Sequence, residues 1–342
     1  MDPARWEHGS DFDWSLEGGR LEAPWSRLPH TLWGSGRDAL RALLAWGRDE
    51  RGWRRVLVPT FFCQEVIRAL ARELPIASYS EAPGDDPAER IDASECEVVV
   101  VVNTYGMRPR TRIETRASVV EDHTHDPLSG WAFDSDADYA VASLRKTLPL
   151  PDGGVLWSPR GRRLPAQRAA TDAHSRATFD RLAAMLLKRH FLDGHAVDKK
   201  AYRALAGVGE LGIGTGEISG MTPFSRERLP SMPARAWRDG RARGLAAFRA
   251  ALGEVSGARL LEAPFAATLL FDTPALHERV RRALAGRRIY PAVLWSLESP
   301  AVHGVPERHV DLSRRVLSLH CDFRYGADDM RRVAAAVRSL LA

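Results

Sequence analysis

The sequence has few residues that could crosslink a chain and no long apolar run that could carry one across a membrane. Three cysteines occur among 342 residues, and their odd number and wide spacing exclude a disulfide framework and a cysteine-based metal site. No apolar run reaches the roughly 18 residues that indicate a membrane-spanning helix. The first residues are polar and acidic, unlike a signal peptide. We therefore expect a cytoplasmic protein without a membrane partner.

Lysine is also scarce. The chain has 49 lysine and arginine residues, and only four of them are lysine: Lys146, Lys188, Lys199 and Lys200. The net charge of +5 is modest for this length, so we expect a solvated arginine-rich surface and no nucleic-acid partner. Unlike arginine, lysine can lose its proton near neutral pH and attack a carbonyl carbon. A lysine placed in a cleft of this chain is therefore a candidate nucleophile.

What the chain does contain is an alternation of strand-like and helix-like segments. Hydrophobic residues make up 44% and charged residues 27%, which is typical of an ordered globular protein. Leu40, Leu43 and Leu44 recur at helical spacing, whereas Val98–Val102 is an unbroken valine run typical of a buried parallel strand. The alternation continues to Leu156 and predicts an α/β fold with a mostly parallel central sheet.

The pattern changes in the second half of the chain. Residues 161–206 have helical periodicity, residues 207–220 are rich in glycine and predict a loop, and an alternating pattern returns after Gly257. In that last part we expect strands at residues 266–271, 289–294 and 316–320. The predicted domains are an N-terminal arm over residues 1–33, a large domain over 34–230 and a smaller C-terminal α+β domain over 231–342.

Two short apolar runs in the middle of the chain are followed by residues that can bind a ligand or take part in catalysis. The first run ends in Asp122, and the second leads into Ser143 and Lys146. In open α/β sheets the ligand crevice lies outside the carboxyl ends of the strands. A helix start at Ser35 and Gly36 could bind an anion through its backbone N–H groups. An acid, a lysine and an anion-binding helix start together predict a site.

The histidines that follow the first run leave three interpretations open. His123 and His125 are spaced like the first ligands of the HxHxDH signature of metallo-β-lactamase-like hydrolases, but Pro127 and Leu128 replace the aspartate and histidine which that signature requires. A second interpretation is a pair of surface histidines without a ligand. The third combines the acid, the lysine and the helix start, which are the groups that hold pyridoxal phosphate (PLP).

Several motifs resemble those of the DegT/DnrJ/StrS aminotransferases, which are PLP enzymes of fold type I. The matching segments are SGRDAL (35–40), VLVPTFF (56–62), VVNTYG (101–106), VVEDHTH (119–125), SLRKTLPLPDGG (143–154) and the tail LSLHCDFRYGADDMRRV (317–333). The resemblance extends from about residue 34 to the last residue and is strongest up to residue 156. It implies a large domain with a mostly parallel sheet and a smaller C-terminal domain.

The resemblance also implies a role for each matched position. The implied cofactor-binding residues are Ser35, Gly36, Arg37, Phe61, Phe62, Asp122, His125, Ser143 and Lys146. Lys146 would carry the cofactor, Asp122 would bind its pyridine nitrogen and His125 would pack on or near its ring. The helix start would hold the phosphate together with Ser143. One of the two phenylalanines would have to stack on the ring, because Cys63 replaces the aromatic residue usual in the family.

The implied activity is transfer of an amino group from an amino acid such as glutamate to a keto-sugar linked to a nucleotide. The resemblance further implies a homodimer in which each subunit completes the other's site, and apolar residues such as Leu211 in the glycine-rich segment support a covered surface there. The family's usual second-subunit motif has no clear counterpart, although residues 212–224 occupy its place. The alternatives are a PLP-fold protein with another reaction, a non-sugar acceptor or only a binding role, and, outside this fold, a metal hydrolase or a basic binding module.

Overall fold

A computed structural model describes residues 3–9, 11–15 and 17–342 of the chain. The larger sheet consists of β1 (His30–Trp33), β2 (Arg55–Pro59), β3 (Ile76–Tyr79), β4 (Glu97–Val102), β5 (Ser118–Asp122), β6 (Tyr139–Ser143) and β7 (Gly154–Trp157). The smaller sheet consists of β8 (Ala258–Leu260), β9 (Ala267–Phe271) and β10 (Val316–Leu319). The helices are α1 (Gly36–Arg51), α2 (Gln64–Leu70), α3 (Gly130–Phe133), α4 (Asp172–Leu192), α5 (Lys199–Gly212), α6 (Pro223–Arg228), α7 (Ala234–Leu252), α8 (Pro274–Gly286), α9 (Glu307–Arg315) and α10 (Ala327–Leu341).

The larger sheet is mostly parallel, as the alternation of strands and helices predicted. Its strand order is β1-β7-β6-β5-β4-β2-β3, in which β3, β2, β4, β5 and β6 are parallel neighbours and β7 runs antiparallel to both β6 and β1. All six residues of β4 are buried, as expected where both faces of a parallel sheet are covered. The carboxyl ends of β4, β5 and β6 meet at one edge, which brings Asn103, Asp122 and Ser143 together there.

Helix α1 packs its predicted leucine stripe against this sheet. Leu40, Leu43 and Leu44 lie in one buried cluster with valines of β4. The stripe is interrupted at Gly47, where a Cβ atom would lie 1.8 Å from the Trp53 ring. Glycine at this position lets the tryptophan ring pack directly on the helix backbone.

The predicted loop over residues 207–220 is wrong in its first part, because α5 continues to Gly212. Two of the three glycines of this helix face α4. A Cβ atom at Gly209 would lie 2.5 Å from Arg181 Cγ, and one at Gly212 would lie 2.6 Å from Ala177 Cβ. These glycines allow two helices to approach closely, so glycine content alone was a misleading signal for a loop.

The smaller sheet forms a second core with α7, α8 and α10, and Trp6 from the N-terminal segment packs into the same core. The predicted fold class is therefore confirmed: a large, mostly parallel sheet is accompanied by a smaller antiparallel one. The domain boundaries after residues 33 and 230 stay a prediction. Among the described residues, no helix combines the length and the apolar character needed to cross a membrane.

The strand predicted at residues 289–294 is wrong. Ile289 forms an isolated bridge to His8, and Ala292 forms another to Ser318. The backbone thus pairs first with the N-terminal segment and then with β10, so no continuous ladder develops. The apolar run gave no sign of this change of partner, because both partners lie far away in the sequence.

Candidate active site

A cavity of about 570 Å³ lies where the carboxyl ends of β4, β5 and β6 meet. Eight of the nine predicted site residues line it: Ser35, Gly36, Arg37, Phe62, Asp122, His125, Ser143 and Lys146. The ninth, Phe61, is buried outside the lining, where its ring centre lies 6.2 Å from that of Trp295 and 6.5 Å from that of Tyr105. Consecutive residues after β2 point to different sides, so Phe62 is the phenylalanine that can contact a ligand in this cavity.

Lys146 lies in a short 3-10 turn directly after β6, and its side chain lines the cavity. The positive charge of Arg145, with burial as the second cause, lowers the pKa of the Lys146 amine from its ordinary 10.5 to about 8. Within the described part of the chain, this amine has no hydrogen-bond or ion-pair partner. A lysine with such a pKa is partly neutral near neutral pH, which is the form that attacks a carbonyl carbon.

Asp122 is the last residue of β5, and its carboxylate is buried. The Thr124 backbone amide donates a hydrogen bond of 2.9 Å to Asp122 Oδ1. Burial raises the pKa of the Asp122 carboxyl, and the hydrogen bonds of Thr124 oppose this only in part. No arginine or lysine among the described residues pairs with it. A buried carboxylate without a cation suits a ligand that brings a positively charged N–H group.

His125 forms part of an aromatic wall. Its Nδ1 atom accepts a hydrogen bond of 2.8 Å from the Tyr105 backbone amide, so Nε2 carries the proton of the neutral ring. The ring stacks on Phe265 at 4.4 Å and on Trp295 at 5.4 Å between centres. Burial, followed by the charges of Lys146 and Arg241, lowers the pKa of His125 to about 3. The wall therefore stays uncharged at neutral pH.

Phe265 and Trp295 also line the cavity, and the sequence reasoning missed both. They follow His125 by well over a hundred residues and belong to the C-terminal part of the chain. No local pattern connects them with the strand ends of the larger sheet, so no sequence signal could have identified them.

The start of α1 packs tightly against the ends of β6 and β7. Ser35 caps the helix, because its side chain accepts a hydrogen bond of 3.1 Å from the Asp38 amide. A Cβ atom at Gly36 would lie 2.9 Å from Ser143 Cβ, and one at Gly154 would lie 2.3 Å from the Ser35 backbone. The glycines thus let the helix N-terminus reach the cavity, where its free N–H groups and dipole favour an anion.

Two arginines and a glutamate of the cavity wall also escaped the sequence reasoning. Arg145 donates hydrogen bonds of 2.6 and 2.7 Å to the Glu210 carboxylate, and Arg181 donates one of 2.5 Å. Burial alone would raise the pKa of Glu210, but the charges and hydrogen bonds of its cationic neighbours lower it to about 2. The three residues come from the turn after β6, from α4 and from α5. The only sequence signal was that Arg145 adjoins Lys146.

The two histidines considered as metal ligands face different surroundings. His123 Nε2 lies 2.9 Å from Glu121 Oε2, and that carboxylate also accepts hydrogen bonds from Trp131 and Ser135. His125 belongs to the cavity wall. The described ranges contain no group of three or more histidine, cysteine or acidic residues arranged to hold a metal ion. The Glu121–His123 pair is thus a buried, hydrogen-bonded part of the core.

No protein-family model matches the chain, and no curated protein matches it either. Solved structures do match its fold. PseC from Helicobacter pylori, an aminotransferase involved in the biosynthesis of pseudoaminic acid, covers 98% of this chain and 99% of its own at a TM-score of 0.62 and 11% identity.

Two further structures match over most of their length. Spr1654 from Streptococcus pneumoniae in its PLP form has a TM-score of 0.57 and 12% identity, with 92% of this chain and 88% of that one covered. A DegT DnrJ EryC1 StrS aminotransferase from Brucella abortus has a TM-score of 0.55 and 11% identity, with 92% and 87% covered. The chain therefore has the fold of these aminotransferases, the fold that its motifs predicted.

Proposed function

We propose that the chain is a PLP-dependent aminotransferase that transfers an amino group from an amino acid, with glutamate as the expected donor, to a keto-sugar. The observation that carries the proposal is that Lys146 and Asp122 line one cavity together with the N-terminus of α1. A reactive amine, a buried acid and an anion site are the three groups that PLP requires.

The residues present fit this cofactor. Lys146 would attach it, Asp122 would hold the proton on its ring nitrogen, and the start of α1 with Ser143 would bind its phosphate. Phe62 and His125 supply flat, uncharged surfaces for its ring. When bound, PLP supplies an electron sink for the negative charge that develops on the substrate carbon.

Lys146 has a second role in the proposed reaction. An amine with a pKa of about 8 can accept a proton from a substrate carbon and return it to a neighbouring atom near neutral pH. The side chain lines the cavity, so the amine can reach the carbon of a substrate bound there. Asp122 stays fixed at the end of β5, so its charge is already in position before the substrate binds.

Three observations support the substrate class and the location. Spr1654 has the same fold in a PLP form, and PseC is an aminotransferase involved in the biosynthesis of pseudoaminic acid. The link of the acceptor to a nucleotide rests on the motif resemblance. The three cysteines are all free, which supports the reducing cytoplasm as the location.

The decisive experiment adds PLP to the purified protein and reduces the yellow adduct with borohydride. Peptide mapping should find the pyridoxyl group on Lys146, and added glutamate should bleach the colour before reduction. A pyridoxyl group on another lysine would refute the assignment of Lys146. If the yellow colour does not change when glutamate or any other amino donor is added, the alternative is favoured: a PLP-fold protein with another reaction or only a binding role.

We also propose a homodimer. The outer face of α4 and α5 exposes Phe179 (69%), Val208 (59%) and Leu211 (76%), which is more apolar surface than a solvated helix pair normally shows. A second copy is the commonest cover for such a face, because closed two-fold symmetry hides the same patch on both subunits.

Light scattering at micromolar concentration tests the homodimer. The wild type should have the mass of a dimer, and Leu211→Glu should reduce it to that of a monomer because a charge enters the apolar interface. Phe133→Glu is the matched control: this residue is also exposed (51%) but lies on α3, away from the α4 and α5 face, and the mass should not change. A monomeric wild type that still binds PLP would refute the proposal.

A further inference from the structure

In one wall of the cavity, two arginines bind the carboxylate of a glutamate side chain. Arg145, Arg181 and Glu210 all line the cavity, and Arg203 lines it beside them. Glu210 accepts two hydrogen bonds from Arg145 and one from Arg181. Arg203 has no ion pair within the part of the chain that the structure describes. This wall therefore carries more positive than negative charge and already binds a carboxylate.

The partners differ in how firmly the structure holds them. The Arg145 side chain is only 5% exposed, whereas that of Glu210 is 43% exposed. Arg181 is also held by a hydrogen bond of 2.9 Å from its Nε atom to the Pro151 carbonyl. The guanidinium groups are thus fixed in the wall, and the Glu210 carboxylate is the group that can turn out into solvent.

The backbone around Glu210 would not have to move. The segment after α5 is attached to α1 through its own carbonyl groups: Arg37 donates a hydrogen bond of 2.6 Å to Ile213, and Arg41 donates one of 2.8 Å to Gly216. These bonds do not involve the Glu210 side chain. A rotation about its side-chain bonds is therefore enough to free the arginine pair.

We propose that Arg145 and Arg181 form the carboxylate-binding subsite for the amino-acid donor, and that Glu210 occupies this subsite until the donor's carboxylate displaces it. The inference rests on the proposed aminotransferase function, because it assigns a place to the donor of that reaction. The planar guanidinium of Arg145 already binds a carboxylate through two parallel hydrogen bonds, the geometry that carboxylates favour.

An exchange of carboxylates fits the energetics of this wall. A buried arginine that loses its only carboxylate partner is strongly destabilised, so Glu210 leaves readily only when another carboxylate arrives. Competition with Glu210 weakens donor binding, since the apparent dissociation constant is the intrinsic one divided by the fraction of molecules in which the subsite is free. Glu210 would thereby favour ligands that bring a carboxylate over neutral ligands of similar size.

The test measures binding of glutarate, a dicarboxylate that has neither the amino nor the keto group of the reaction. Calorimetric titration of the PLP-loaded protein gives the dissociation constant for the wild type and for Glu210→Gln. Removal of the competing charge should lower this constant about tenfold. The matched control is Glu65→Gln, which also removes one negative charge from the cavity lining. Glu65 is paired with Arg68 and not with the arginines of the subsite, so this variant should leave the dissociation constant of glutarate unchanged within about twofold.

A second variant keeps the test conclusive if Glu210→Gln does not fold. Arg181→Met should raise the dissociation constant of glutarate about tenfold, because one guanidinium of the pair is gone. A purely structural role of the ion pair predicts a lower unfolding temperature with an unchanged dissociation constant, and that result would overturn the inference. Pyrophosphate serves as a further probe: if Glu210→Gln tightens its binding but not that of glutarate, the subsite is not for a carboxylate.

The outcomes separate this inference from the proposed function. If PLP attaches to Lys146 but Glu210→Gln binds glutarate no better than the wild type, the subsite is wrong and the function stands. If PLP does not attach, the titrations are run on the protein as purified. A tenfold effect there would leave an anion subsite in place while refuting its role in amino transfer.

Discussion

Asp122 and Asp322 are both buried aspartates that end or closely follow a strand, yet their surroundings differ. Arg324 donates two hydrogen bonds of 2.7 Å to the Asp322 carboxylate. Burial alone would raise the pKa of Asp322, but the charge and hydrogen bonds of Arg324, with smaller contributions from His320 and Arg241, together hold the pKa well below its usual value. Asp122 has only hydrogen bonds from Thr124, and burial raises its pKa.

This contrast shows that burial of an acid does not by itself identify a site. A buried acid with its own cation is a structural element, because the pair is satisfied within the chain. A buried acid without one is an unfavourable arrangement that a ligand can relieve. The same distinction separates two lysines: Lys188 is buried and donates a hydrogen bond of 2.6 Å to the Asp11 carbonyl, whereas Lys146 faces the cavity without such a partner.

The largest effect is expected from the two lysines. Lys146→Ala should abolish covalent attachment of PLP and lower turnover by several orders of magnitude, because no other amine takes its place. Lys188→Ala is the matched control and should still form the borohydride-stable adduct at Lys146, with a lower stability. Mass spectrometry of the reduced proteins checks both. An adduct in the Lys146 variant at another residue would break the distinction between the two lysines.

The next largest effect is expected at Asp122. Asp122→Asn should still bind some PLP but lose about a thousandfold in rate, since a neutral amide does not hold the proton on the ring nitrogen. The rate of the glutamate half-reaction measures this loss. Turnover within about threefold of the wild type would mean that the ring nitrogen has another partner.

Asp322→Asn should affect stability and not chemistry. The change leaves the buried Arg324 without its carboxylate, so the free energy of unfolding should fall by about 3 kcal/mol. Urea unfolding measures this loss, and the adduct at Lys146 should still form in the folded protein. If the variant kept its stability but lost the adduct, the Asp322–Arg324 pair would belong to the site.

The smallest effect is an opposite pH dependence in the cofactor-free protein. The lowered pKa of Asp322 contributes stability that is present above the unfolded pKa of about 3.9 and is lost as the pH falls toward the folded pKa. The raised pKa of Asp122 does the reverse: its contribution is present below the unfolded pKa and is lost as the pH rises through the folded pKa. The two windows therefore lie on opposite sides of the unfolded pKa, and stability changes with pH in opposite directions in them.

Unfolding at several pH values on both sides of about 4 measures this difference. Relative to the wild type, Asp122→Asn should gain stability as the pH rises above this value, by about 1 kcal/mol. Asp322→Asn should lose stability relative to the wild type as the pH rises toward this value from below, and the difference should stay constant above it. Parallel pH profiles for the two variants would show that the two aspartates are equivalent, and would refute the distinction between a ligand-binding and a structural aspartate.

The larger sheet and the residues at its edge follow from local sequence patterns. Apolar runs such as Val98–Val102 form strands because every residue of a covered parallel strand is buried. The acid and the lysine that follow two of these runs meet in the folded chain, because parallel strands end at the same edge. Local sequence was sufficient for these features because each depends on residues that are neighbours along the chain.

The surroundings of those residues depend instead on how distant parts of the chain pack together. In the aromatic wall, His125 packs on Phe265 and Trp295 from the C-terminal part of the chain. The carboxylate that Arg145 binds belongs to Glu210 of α5, 65 residues further on. Glycine content predicted a loop where Gly209 in fact lets two helices touch. Such partners depend on which faces pack together, and that choice is made by the burial of the whole chain and not by the periodicity of any one segment.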